Sequence, residues 1–108
     1  MPQSLSFYFR PHKMTRSEMF DKIESLPPGR IKHQHSKIHQ GKSVNYRTET
    51  YFIQGTRARF SDWAYSRPIT IITLSKEKAN RTAKAIENIL ENDLIQTKSV
   101  VYRVFRKP

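Results

Sequence analysis

Apolar and polar positions alternate along Ser4–Phe9, so Leu5, Phe7 and Phe9 share one face and Tyr8 the other, which predicts a first strand. Arg10-Pro11 ends it, because proline has no N–H for a ladder. The period then changes. Met19, Phe20, Ile23 and Leu26 recur at helical spacing and form one apolar stripe. Thr15 followed by Glu18 is a capping box that satisfies N–H groups of the first turn, and Pro27-Pro28-Gly29 stops the helix.

Ile31–His39 has few apolar residues and predicts only a weak strand. After a turn around Gly41, Ser43–Gln54 is a strong one, and the two could pair as a hairpin across Gln40–Lys42. In it Val44, Tyr46, Thr48, Thr50 and Phe52 share one face. Asn45, Arg47, Glu49, Tyr51 and Ile53 share the other, which is the wetter by composition. Gly55–Pro68 is polar and reads as irregular. Ile69–Leu74 carries no charge and predicts a central strand buried on both faces. Ser75 suits the N-cap of a second helix running to about Glu91, with Ala79, Ala83, Ile86 and Leu90 inward and Ile89 beside them. Asn92-Asp93 ends it, and Ser99–Arg106 predicts the last strand.

The expected architecture is α+β: two helices packed on a four- to five-stranded, mostly antiparallel sheet in the order β-α-β-β-(β)-α-β. Without the weak strand this is the split βαβ, or ferredoxin-like, order. The chain of 108 residues has room for one domain, residues 1–108, and its 36 % hydrophobic content suffices for one small core.

Charge changes the picture most. Twenty Lys and Arg against nine Asp and Glu give a net charge of +11, shared about evenly between the two halves of the chain. The field therefore belongs to the folded body and not to a tail. It excludes a nucleic-acid mimic and favours a polyphosphate or an acidic protein as partner. The absence of cysteine excludes disulfides and thiol chemistry. No apolar run is long enough for a membrane span, and the first residues do not form a signal peptide, so a soluble cytoplasmic protein is expected. No P-loop, GxGxxG, GxSxG or HExxH occurs, and no cofactor is expected.

Three groups of residues carry candidate chemistry. In Gly55–Pro68, Arg57, Arg59 and Arg67 interleave with Phe60, Trp63 and Tyr65. Arginine forks onto phosphate and aromatic rings stack on unpaired bases, so the composition suits single-stranded RNA or DNA. The plainer alternative is that Phe60 and Trp63 plug the core while the arginines face solvent. Next, Lys76, Lys78, Arg81 and Lys84 crowd the start of the second helix and Glu87, Glu91 and Asp93 its end, against the macrodipole; the helix start could receive an external phosphate. Last, His33, His35 and His39 would share a face in one unbroken strand and could ligate a metal or cleave RNA. Exposed histidines on a polar edge strand are the preferred reading, and no metal site is assigned.

These features lead to a small nucleic-acid-binding protein, single-stranded RNA favoured, with Arg57, Arg59, Phe60, Trp63, Tyr65, Arg67, Lys76, Lys78 and Arg81 as its contacts. One alternative is a metal-independent endoribonuclease of toxin type, with His33, His35, Tyr46 and Arg47 as weak catalytic candidates. Another is a phage- or mobile-element-type adaptor or inhibitor that docks on an acidic protein or a ribonucleoprotein. The exposed end strand could also pair edge to edge with a second copy, giving a homodimer.

Overall fold

The computed structural model describes residues 3–62 and 68–104. Its elements are β1 (Gln3–Pro11), α1 (Arg16–Glu24), β2 (Lys32–Gln40), β3 (Asn45–Ile53), β4 (Thr56–Ser61), β5 (Ile69–Thr73), α2 (Lys76–Leu90) and β6 (Leu94–Val104). The α+β class is as expected. The strands form one antiparallel sheet in the order β2-β3-β4-β5-β1-β6.

Four strands stand between the helices where two or three were expected, so the sheet has six strands and not the four to five drawn from the sequence. The additional strand is β4, which lies in the stretch read as irregular. Its residues alternate in burial: Thr56, Ala58 and Phe60 point inward, while Arg57 is exposed and Arg59 half-buried. The alternation was present in the sequence, but two arginines gave it the composition of a loop. The turn leading into it is Gln54–Gly55, with φ of 52° and 74°. Two consecutive positive φ values define the two-residue hairpin turn whose twist matches that of the flanking strands. Glycine takes the second position because it has no Cβ to clash there.

Both helix starts follow the sequence. Thr15 accepts from the Glu18 N–H while the Glu18 carboxylate accepts from the Thr15 N–H, which lowers the Glu18 pKa. Ser75 caps α2 by accepting from the Lys78 N–H. β6 begins at Leu94 rather than Ser99, because the α2 turn is short and Glu87 accepts the Leu94 N–H at 2.8 Å, delivering the chain directly to β1.

Both helices lie on one face of the sheet. Met19, Phe20 and Ile23 of α1 and Ala79, Ala83, Ile86, Ile89 and Leu90 of α2 pack against Phe7, Phe9, Ile53, Ala58, Phe60, Ile69 and Ile71. Each large side chain sealed in this layer contributes about 1.5–3 kcal/mol. β5 is central and buried as expected, apart from half-buried Ile72. The face of β3 that looked the wetter is the one beneath the helices: Ile53 and Glu49 are both buried there. Composition misled because Glu49 is buried with partners, described below.

Among the described residues no helix is long and apolar enough to cross a membrane.

Candidate nucleic-acid interface

The strand register divides the polar residues between two faces. Directly opposed residues in an antiparallel pair lie on the same side of the sheet. Ala58 opposes Ile71 and Tyr51, and Phe60 opposes Ile69 and Glu49, so these belong to the helix side. Arg57 opposes Ile72 and Phe52, and Arg59 opposes Thr70 and Thr50, so the arginines stand on the helix-free side. β2 continues that side with Lys32 opposite Phe52, His35 opposite Thr50, Lys37 opposite Thr48 and His39 opposite Tyr46.

No Asp or Glu stands on the helix-free face among the described residues. Glu18, Asp21 and Glu24 are on α1, Glu77 and Glu87 on α2, and Glu91 and Asp93 just beyond it. Glu49 is on the helix side of β3, and Asp62 accepts the Arg47 N–H near α1. A surface of mixed charge has thus been sorted by the sheet into a cationic side and a neutralised one. On the cationic side, near the β2–β3 turn at the sheet edge, the His39 ring stacks on Tyr46, with centroids 4.5 Å apart and planes 6° from parallel, and its Nε2 lies 3.0 Å from the Thr48 hydroxyl.

Partial desolvation, then the charges of Lys37, Arg59 and His35, push the His39 pKa down from its ordinary value. Because the folded value is the lower one, protonation favours the unfolded chain. This contribution to stability is complete above the ordinary value of about 6.5 and is lost as pH falls through it toward the folded value. A bound polyanion reverses the sign of the surrounding field. The His39 ring followed by NMR titration is therefore expected to show an apparent pKa below that of a free histidine in the unliganded protein. With saturating polyphosphate it should rise; no change on adding polyphosphate would place the anion elsewhere.

The sequence-derived contacts fare unequally. Arg57 and Arg59 sit together on the cationic face. Phe60 does not: it is 1 % exposed and directed at the helices, so it is a core residue with no surface to offer a base. Trp63, Tyr65 and Arg67 lie outside the described residues. Lys76, Lys78 and Arg81 are exposed on the first turns of α2, and Lys78 lines one hollow with Arg57, which joins the helix start to the arginine strand at one end of the sheet. The acids at the far end of α2 have local work: Glu91 pairs with Lys22 at 2.7 Å, which lowers its pKa, and Glu87 holds the β6 N–H.

The histidines do not share one face. The β2–β3 register shifts between His33 and His35, so Gln34 is an extra residue and everything after it changes side. His33 consequently points to the helix side and His35 and His39 to the other. The catalytic candidates are divided in the same way, His33 and Arg47 on one side and His35 and Tyr46 on the other. Among the described residues no group of three or more His, Asp or Glu is close enough to hold a metal.

Sequence reading missed the helix-side cluster around Glu49. His33 Nε2 lies 2.8 Å from Glu49 Oε1, and the Ser36 hydroxyl donates to Oε2 at 2.7 Å. Arg47 pairs with Glu24 at 2.9 Å and lies 4.3 Å above the Phe20 ring. Tyr51, 5.0 Å from the His33 ring, has its pKa raised by burial and by Glu49 and Glu24, against Arg47. No sequence spacing links residues 33, 36, 47 and 49; the hairpin does.

Compared with models of known protein families, with curated proteins and with solved structures, the chain finds no match.

Proposed function

We propose that this chain is a nucleic-acid-binding module that holds single-stranded RNA on the helix-free face of its sheet. One observation carries the reading: Arg57, Arg59, Lys32, Lys37, His35 and His39 share a face on which no described carboxylate stands, beside the half-buried rings of Tyr46 and Phe52. Cations bind the phosphates with counterion release, and the uncovered part of each ring gives unpaired bases a surface. A flat sheet suits a splayed single strand better than a duplex groove, which takes a helix or a narrow ribbon. We read the fold around this face as a ferredoxin-like arrangement, with β1 and β5 adjacent at the centre and β6 outside β1, widened by the β2–β3 hairpin. The cytoplasm is the compartment that fits this reading.

The test is a gel shift with single-stranded RNA, duplex RNA, single-stranded DNA and duplex DNA at two salt concentrations. Tightest binding to single-stranded RNA, weakening as salt rises, is expected. Absence of binding to all four ends the proposal. Recovery of a single acidic protein or ribonucleoprotein after nuclease treatment would turn it toward an adaptor.

The dyad of His33 and buried Glu49 favours a second reading, a metal-independent endoribonuclease. A carboxylate that fixes one imidazole nitrogen leaves the other to move a proton, and Arg47, 3.9 Å from the same carboxylate, is a cation that would offset charge on a phosphate brought there. Incubation with bulk RNA separates the two. Binding alone leaves the RNA intact; cleavage that His33→Ala abolishes, and that Glu49→Gln weakens, would make the enzyme the better description.

A further inference from the structure

The sheet ends, beside the Gln54–Gly55 turn, in two hollows that share a wall. One, about 240 Å³, opens between that turn and the start of α2, and Arg57 and Lys78 border it. The other, about 270 Å³, opens between the loop before β2 and the middle of α2, and Arg30 and Lys32 border it. Phe52, half-buried, lines both. Neither hollow is lined by an Asp or Glu. The hollows at Asp21, Glu24 and Asp62 and at Glu87, Glu91 and Asp93 differ in this respect, each being bordered by three carboxylates.

A pair of cations on either side of an aromatic ring matches the repeat of a single-stranded nucleic acid, which presents a phosphate, a base and a phosphate in turn. The ring supplies a stacking surface that any base can use. The cations supply two separated anion sites, and no carboxylate lies between them to repel the backbone.

We propose that this end of the sheet grips one nucleotide step of single-stranded RNA, with a base on Phe52 and its two flanking phosphates on Arg57–Lys78 and Arg30–Lys32. The inference rests on the RNA-binding reading and adds to it a path: the strand crosses the turn end of β3 and β4, from the start of α2 to the start of β2. A strand held only near Arg59 and Tyr46, toward the β2–β3 turn, would leave both hollows empty.

The experiment is fluorescence anisotropy of the full chain with a labelled oligouridine. Phe52→Leu keeps an apolar side chain but removes the ring, and is expected to weaken binding about 5- to 150-fold with the salt dependence unchanged. Phe52→Tyr keeps the ring, is expected to bind as the parent does, and shows that the position tolerates exchange. Arg30→Ala with Lys32→Ala is expected to lower the slope of log affinity against log salt by about 0.7, the value for one phosphate of a single strand. If the parent binds RNA while Phe52→Leu and the Arg30, Lys32 pair bind equally well, the path is wrong and the RNA reading stands. Equal affinity for duplex RNA, whose bases are not free to stack, also overturns it. A parent that binds no RNA overturns both.

Discussion

Replacing Arg57, Arg59 and Lys37 together by Ala is expected to remove most of the affinity for single-stranded RNA and to leave the fold intact. All three stand on the helix-free face, Arg57 and Arg59 on β4 and Lys37 on β2 with β3 between them, and none belongs to the hydrophobic core. If each holds one phosphate, the slope of log affinity against log salt should fall by about 2, at roughly 0.7 per phosphate for single strands. The loss should be similar for every base composition, because phosphate contacts position the strand without reading it. Circular dichroism and a melting curve provide the control, and binding at several salt concentrations the readout. Parent-like affinity in a folded triple variant would remove this face from consideration.

Phe60→Ala is expected to act in the opposite way, through stability and not through binding. Phe60 is sealed between the helices and the sheet, edge-on to Tyr51 at 5.8 Å, and its truncation leaves a cavity that the surrounding β4 and β5 cannot close. Such a change costs about 3–5 kcal/mol. A domain of this size holds about 5–15 kcal/mol in total, and its melting point moves about 4–8 °C for each kcal/mol. Thermal unfolding should therefore shift by tens of degrees. Below the new transition the variant should bind RNA as the parent does. A variant that melts like the parent but binds poorly would put Phe60 back among the contacts.

Much of the fold was legible because local chemistry and tertiary structure agree. The Thr15–Glu18 box, the Ser75 cap and the apolar stripes of both helices each point to one conformation, and each appears. β4 was hidden because a strand half-exposed on a charged face puts arginine at every second position, and that composition resembles a loop. The site was legible only in part. Arg57 and Arg59 follow from charge and spacing, but Phe60 sits at the inward phase of the same strand, and phase cannot be assigned until the strand is recognised. Phe52, Tyr46 and Lys37 join the arginines through register alone, which no single segment encodes. The Glu49 cluster was illegible for a related reason: a buried carboxylate is tolerated where His33 and Ser36 reach it across a hairpin, a contact absent from linear spacing.

The bulge at Gln34 reverses the phase of its strand, so that His33 and Ser36, three residues apart, both reach the buried acid, while Lys32, His35, Lys37 and His39 stand on the opposite, cationic side. One edge strand can therefore keep either set of side chains while the other drifts. The unpaired residue also spoils the regular ladder that an open rim would otherwise present to a stray chain, which helps a face so rich in β-structure stay in solution.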